Sequence, residues 1–214
     1  MDVIYGRRPG AEAERGRRQV HEVWRAPETP PDELERLCGS PDHQGVVAEV
    51  DPYPYADPGS LLDADDALVV VLDQVQDPHN LGAVCRAAEV AGASGVVIPE
   101  RRAASVTPAA CKASAGAVEH LPVARVRNLA DWLAEGKGSG AWIYGADAQA
   151  PRAYTDVDWS GRAVLALGSE GKGLRPRVAE ACDELISIPL RGRVGSLNAS
   201  VAAAVILFEA AKAR

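Results

Sequence analysis

The sequence predicts an α/β fold: a mostly parallel sheet with helices on both faces, preceded by a smaller α/β segment at the N-terminus. Three observations carry this. Short apolar, β-branched runs alternate with helical segments over most of the chain. The run Ala67–Leu72 (ALVVVL) has the unbroken apolar character of a strand covered on both sides. Aromatic residues make up only 5% of the 214 residues, so Ala, Val and Leu must fill closely packed layers.

Two segments separate on composition. Residues 1 to about 50 are Arg-rich, polar and weakly periodic, and Asp51-Pro52-Tyr53-Pro54-Tyr55-Ala56-Asp57-Pro58-Gly59 is dense in turn residues and reads as a linker. The boundary is placed so that 1–58 form an N-terminal module with its linker and 59–214 form the main domain. After the first strand, Asn80 is expected to cap a helix whose apolar positions are Leu81, Val84, Cys85, Ala88 and Ala91. Gly92 permits a stop, and Gly95–Ile98 reads as the second strand. Further strands are expected at Val123–Val126, Ala141–Tyr144, Ala163–Leu167 and Leu185–Ile188, with helices over Asn128–Glu135 and Pro176–Cys182 between them. The chain closes on a helix capped by Ser196, with Leu197, Val201, Ala204, Phe208 and Ala211 as its apolar stripe.

The net charge of −7 excludes a protein drawn to nucleic acid by its overall charge. Any RNA contact must come from local patches. Arg7, Arg8, Arg15, Arg17, Arg18 and Arg25 crowd the first 25 residues. Smaller clusters are Arg101 with Arg102, Lys172 with Arg175 and Arg177, and Arg191 with Arg193. The scarcity of aromatics argues against an open stacking platform for single-stranded bases. Cys38, Cys85, Cys111 and Cys182 lack zinc-site spacing, so no metal is expected, and Cys85 and Cys111, in Ala-rich stretches, are expected to be reduced, buried thiols. No apolar run of transmembrane length or signal-like segment is found, so a cytoplasmic protein with no membrane partner is expected.

Ligands of parallel sheets bind beyond the carboxyl ends of the strands, and three loops there carry unusual residues. The first runs Leu72-Asp73-Gln74-Val75-Gln76-Asp77-Pro78-His79-Asn80-Leu81-Gly82, with Arg86 on the helix after it. The second is Leu167-Gly168-Ser169-Glu170-Gly171-Lys172-Gly173-Leu174. It has neither the P-loop spacing nor G-x-G-x-x-G, but its glycines let backbone amides approach a ligand, and a carboxylate stands at its centre. The third is Ile188-Pro189-Leu190 followed by Arg191-Gly192-Arg193-Val194-Gly195-Ser196-Leu197-Asn198.

In this order the three loops resemble the motifs of the SpoU family of RNA ribose methyltransferases, over residues from about Ala67 to the end. The resemblance implies a C-terminal trefoil knot, a homodimer with the active site near the subunit interface, and S-adenosyl-L-methionine as methyl donor. By position, Gly168, Ile188 and Leu197, with Leu167, Gly171 and Leu190, would hold the cofactor. Arg86, Asn80, Glu170, Ser196 and Asn198 would form the catalytic set. Tyr5-Gly6-Arg7-Arg8-Pro9 and Asp42-His43-Gln44-Gly45-Val46 resemble the edges of the small RNA-binding module that precedes many such domains, in shortened form. The implied activity is methylation of a ribose 2′-hydroxyl, of ribosomal RNA in the first place and of transfer RNA as the alternative.

Methyl transfer from a sulfonium needs in-line alignment and removal of the hydroxyl proton, without a metal. Arg86 is awkward as a base, because guanidinium stays protonated up to a pKa above about 12. Stabilising the developing alkoxide suits it better. Asn80 is expected to position Arg86 or the ribose, and Glu170 to orient Arg86 or accept bonds from loop amides. Ser196 and Asn198 would contact substrate or cofactor. His79 titrates in the right range for a general base, but the motif does not call for histidine there. Three competing readings are a generic nucleotide-binding α/β protein, a non-catalytic RNA-binding relative, and an enzyme of the same fold whose target atom is a base nitrogen.

Overall fold

The structure is a computed structural model describing residues 1–214. Its N-terminal part contains strand β1 (Asp2–Tyr5), helix α1 (Arg7–Ala13), β2 (Val20–Arg25), α2 (Pro31–Cys38) and β3 (Val46–Val50). The three strands form an antiparallel sheet in the order β1-β3-β2. The main domain follows with β4 (Leu68–Asp73), α3 (Pro78–Val90), β5 (Gly95–Pro99), α4 (Pro108–Ala113), β6 (Val123–Val126) and α5 (Leu129–Gly138). It continues through β7 (Trp142–Ala146), β8 (Arg152–Ala153), β9 (Ala163–Gly168), α6 (Pro176–Ala181), β10 (Glu184–Ser187) and α7 (Ala199–Ala210).

The seven strands of the main sheet lie in the order β6-β5-β4-β9-β7-β10-β8, and every neighbouring pair is parallel. The unbroken apolar run of β4 follows from its position. Leu68, Val70 and Leu72 enter one core with Leu81, Val84 and Cys85 of α3 and Ile206 and Leu207 of α7. Val69 and Val71 enter a second core on the other face with Leu129, Trp132 and Leu133 of α5 and Val178 of α6. Successive strand residues point to opposite faces, so a strand between two helix layers needs apolar residues at every position. Gly82 has a packing reason: a Cβ there would lie 2.5 Å from the Ala110 carbonyl oxygen, so glycine lets α3 and α4 cross closely.

Connections run outward from β4 to β5 and β6, then return to place β9 on the other side of β4. The strand order therefore reverses between β4 and β9, whose last residues Asp73 and Gly168 are register partners. That is where a crevice opens in such sheets. After β10, residues 188–198 lead into α7, which packs on α3.

Three expectations about helix ends and faces are corrected. The cap of α3 is Asp77, whose side chain accepts the His79 amide, and not Asn80; Pro78 then occupies the first turn, where a missing N–H costs nothing. Likewise the cap of α7 is Asn198 and not Ser196. The expected stripe of α7 is the wrong one, since Val201 and Phe208 are 47% and 51% exposed while Ala199, Ala203, Ile206, Leu207 and Ala210 are buried.

The segment expected as a linker is instead fastened to the main domain. The Ala56 amide donates to the Val123 carbonyl at 2.9 Å, and the Arg125 guanidinium lies 3.7 Å from the Tyr55 ring centre. The Tyr53 hydroxyl sits 3.1 Å from the carbonyls of both Val118 and Leu121. Two of the arginines expected in an RNA patch serve the same seam. Arg18 is 6% exposed and paired with buried Glu119, and Arg17 donates to the Leu121 carbonyl at 3.0 Å and to Tyr53 at 3.2 Å. A guanidinium drawn into a low-dielectric seam persists there only when paired and hydrogen-bonded, which Glu119 provides.

Candidate functional site

The three sequence-marked loops converge at the carboxyl ends of β4, β9 and β10. A cavity of about 350 Å³ lies between the second and third loops, lined by Leu167, Gly168, Gly171, Ile188, Leu190 and Leu197, all six expected cofactor contacts, and by Ser196. Ile186, Ala202 and Ile206 close its inner wall, and Asp147 and Glu170 contribute carboxylates. Its size is that of a small-molecule site.

Gly168 determines the shape. A Cβ at this position would lie 1.9 Å from the Gly173 carbonyl carbon and 2.3 Å from the Leu174 amide nitrogen, so the loop folds directly over the end of β9. The Gly173 amide returns a bond to the Ser169 carbonyl at 2.9 Å. A second anchor went unnoticed as such in the sequence. Asp73, wholly buried, accepts the Arg175 amide at 2.8 Å and the Arg175 Nε at 2.7 Å, tying the far end of the loop to β4. An apolar run ending in Asp, opposite a Gly-rich loop followed by Arg, was the available signal.

From Ile188 to Leu197 no backbone amide donates to a backbone carbonyl. These groups are free to bond a ligand, beside an apolar wall suited to a flat ring. The cavity thus offers an apolar slot, unspent backbone polar groups and two carboxylates. S-adenosylmethionine, with an adenine, a ribose, an amino-acid end and a positive sulfonium, matches that set.

At the cavity mouth, Asn80, Glu170 and Asn198 form one hydrogen-bonded cluster from three different loops. Asn80 Nδ2 donates to Glu170 Oε1 at 3.0 Å, and Asn198 Nδ2 donates to Asn80 Oδ1 at 3.0 Å and to Glu170 Oε1. The other end of the Asn198 amide accepts the Ser200 amide at 2.9 Å and its hydroxyl at 2.6 Å, so the residue that caps α7 also holds the cluster. Glu170 Oε2 carries no bond within the protein, which leaves one carboxylate oxygen free. A smaller cleft of about 280 Å³ adjoins the cluster and includes Gln74, Gln76, Asn80, Glu170 and Lys172. Gln74 holds a φ of 61°, a costly conformation for a non-glycine residue in such a loop.

Arg86 does not join this cluster. It stands six residues beyond Asn80 on α3, which at 3.6 residues per turn points it about 120° away and about 9 Å along the axis. It lines a separate cavity with Arg7, Arg8, Gln44 and Lys112. Ser196 lines the main cavity without a hydrogen bond to the cluster. The His79 ring has no bonded partner and is exposed. No group of three or more His, Cys, Asp or Glu side chains converges as a metal site would require, and no helix is long and apolar enough to cross a membrane.

Comparison with known proteins bears on this geometry. The model of the SpoU rRNA Methylase family matches residues 67–208, and that of RNA 2′-O ribose methyltransferase substrate binding matches residues 27–56. A Bacillus subtilis protein named as a TrmH family tRNA/rRNA methyltransferase, YacO, is 47% identical over 177 residues, covering 80% of this chain and 71% of the relative. A Mycobacterium ulcerans protein named as an uncharacterized tRNA/rRNA methyltransferase is 46% identical over 191 residues. That alignment covers 87% of this chain, while the chain spans only 62% of the mycobacterial relative. Among solved structures, the SpoU methyltransferase AviRb from Streptomyces viridochromogenes, in complex with the cofactor AdoMet, superposes with a TM-score of 0.84 at 28% identity, covering 98% of this chain and 89% of that one.

Proposed function

Because this chain belongs to the SpoU rRNA Methylase family, we propose that it is an S-adenosylmethionine-dependent RNA methyltransferase acting on a ribose 2′-hydroxyl. The observation that carries this reading is the cluster of Asn80, Glu170 and Asn198 at the mouth of the Gly168 cavity. It sets a fixed carboxylate and two amides where a hydroxyl would meet a donor bound in the cavity.

When bound, S-adenosylmethionine supplies an electrophilic methyl group. The protein's share is position and proton handling. Gly168, Leu167, Gly171, Ile188, Leu190 and Leu197 shape the pocket that orients the donor. Asn80 and Asn198 fix Glu170 through Oε1, and its free Oε2 is suited to accept a hydrogen bond from the attacking hydroxyl and hold it in line. Ser196 serves the pocket wall. Arg86 acts electrostatically and not as the base, because a guanidinium holds its proton and Arg86 makes no hydrogen bond to the Asn80, Glu170 and Asn198 cluster.

In this reading residues 1–58 form the substrate-binding unit, within which the substrate-binding family model matches residues 27–56, and ribosomal RNA is the favoured acceptor with transfer RNA as the alternative. A homodimer is supported by large apolar side chains left exposed in the monomer. Val90 of α3, Val201 and Phe208 of α7, and Val194 are 63%, 47%, 51% and 75% exposed.

Calorimetric titration with S-adenosylmethionine tests the proposal. Saturable binding by the wild-type chain that Gly168→Trp abolishes is expected. Equal binding by both would remove the cavity from its role.

A further inference from the structure

The cleft beside the Asn80, Glu170 and Asn198 cluster shares a wall with the Gly168 cavity, since Ser169, Glu170, Lys172 and Ala199 line both. A donor bound on one side of Glu170 therefore faces, on the other, a space of about 280 Å³ whose remaining polar lining is Gln74, Gln76, Asp77 and Asn80. A nucleotide whose 2′-hydroxyl meets Glu170 brings two neighbours with it, the base on C1′ and the 3′-phosphate on C3′. The lining chooses between them. Asp77 and Glu170 are carboxylates and Lys172 is the one cation, so a phosphate would meet more negative charge than positive. An uncharged base meets no such repulsion. No aromatic ring lines the cleft, so a base there is held by its edge.

Two glutamines supply the partners for that edge. Each primary amide offers a carbonyl acceptor beside an NH₂ donor, and neither amide bonds to any group of the protein. Gln74 stands in a constrained turn. It holds a φ of 61° between Asp73, wholly buried, and Val75, 5% exposed. Asp73 is fixed by Arg175, and the Val75 carbonyl accepts the Ala104 amide at 2.8 Å. Both neighbours are thus anchored inward, and the turn between them presents the half-buried Gln74 to the cleft. A glycine would take this φ at no cost, so a long amide side chain here is kept against a backbone penalty. Such strain clusters where a side chain must be aimed.

We propose that Gln74 and Gln76 read the base of the nucleotide whose ribose is methylated, and that this cleft is its seat. The proposal rests on the ribose-directed reading above and adds base selectivity to it. A glutamine amide pairs in bidentate fashion with a base edge on which a donor and an acceptor are adjacent, and a wrong base leaves one of the two bonds unmade. One such pair discriminates by about 10- to 100-fold. Both glutamines belong to the turn that leads through Asp77 into α3, where Asn80 stands. Base and ribose are therefore gripped from one short stretch of chain, so a base that fits the amides also sets its own 2′-hydroxyl at Glu170.

The test uses the ribosomal RNA fragment in which transfer of labelled methyl locates the acceptor, made in four versions that differ only in the base at that position. Wild-type kcat/KM should favour one base about tenfold or more over the least favoured. Gln74→Gly removes the amide and leaves the turn unstrained, so the fold is kept, and an undiminished Tm by circular dichroism checks this. In Gln74→Gly and in Gln76→Ala the ratio should shrink to about threefold or less, with the loss falling on the favoured base. A merely structural role would lower all four RNAs alike. A ratio unchanged in either variant, an equal loss on all four RNAs, or a wild type that treats the four bases equally would overturn the base-reading site. Calorimetry with S-adenosylmethionine should find both variants binding the cofactor as the wild type does. Ribose methylation without base preference defeats only this proposal, whereas label on no ribose at all defeats the ribose-directed reading and this proposal with it.

Discussion

Substituting Gly168 by Ala adds one methyl group at the narrowest point of the fold. The added Cβ would lie 1.9 Å from the Gly173 carbonyl carbon and 2.1 Å from its oxygen, whereas real Cβ contacts essentially never fall under 3.0 Å. The neighbour is backbone, so no side-chain rotation relieves the clash. Residues around Gly173 must retreat by about 1 Å, and the loop is pinned at its far end by the Asp73–Arg175 pair. A misplacement of about 1 Å in a positioning element costs on the order of 10²-fold in rate. Gly168→Ala should therefore lower kcat/KM for S-adenosylmethionine by about a hundredfold, measured by transfer of labelled methyl to RNA across a cofactor series. Gly192→Ala meets nothing within 4 Å and should stay close to wild type. A Gly168→Ala enzyme within threefold of wild type would refute the idea that this backbone approach shapes the pocket.

Other perturbations read different parts of the account. Glu119→Gln leaves the buried Arg18 guanidinium with only the partly exposed Asp2, 3.8 Å away, as counter-charge and should cost about 3 kcal/mol, a fall of about 6–12 °C in Tm by circular dichroism. Arg18→Met with Glu119→Leu should recover most of that loss, and no recovery would mean the seam depends on something other than charge pairing. Asn198→Ala removes both a helix cap and a cluster bond, so it should lower Tm by a few degrees and kcat well beyond what unfolding explains. Burial pushes the thiol of Cys85 up to about 12, that of Cys182 up to about 12 and that of Cys111 up to about 11. At pH 8 these three are almost wholly protonated, so iodoacetamide on the native protein should label Cys38 alone, as counted by intact mass.

Legibility from sequence followed the physics of each element. Strands between two helix layers announce themselves, because burial on both faces demands the uninterrupted runs seen at 68–72 and 163–167. The ends of helices were harder. Asp77-Pro78 and Asn80 both satisfy a capping pattern, and only the chain's path selects the earlier one. In α7 nearly every residue is apolar, so no periodicity singles out a face, and the stripe containing Val201 and Phe208 was as plausible as the buried one. The pocket residues were reached through the resemblance of their loops to the SpoU motifs, and all six line the cavity. The partnership of Asn80, Glu170 and Asn198 was not legible, since a hydrogen bond across 118 residues leaves no local trace. Arg17 and Arg18 misled for the opposite reason. A basic residue looks the same in sequence whether it meets RNA or a buried glutamate.

The central claim is the identity of the acceptor atom. Ribosomal RNA incubated with the protein and S-adenosylmethionine carrying a labelled methyl group, then digested to nucleosides and resolved by mass spectrometry, locates that atom directly. Label confined to 2′-O-methylated nucleosides, and lost with Gly168→Trp, is the result expected. Label on a base, or the same labelling by the variant, would contradict it.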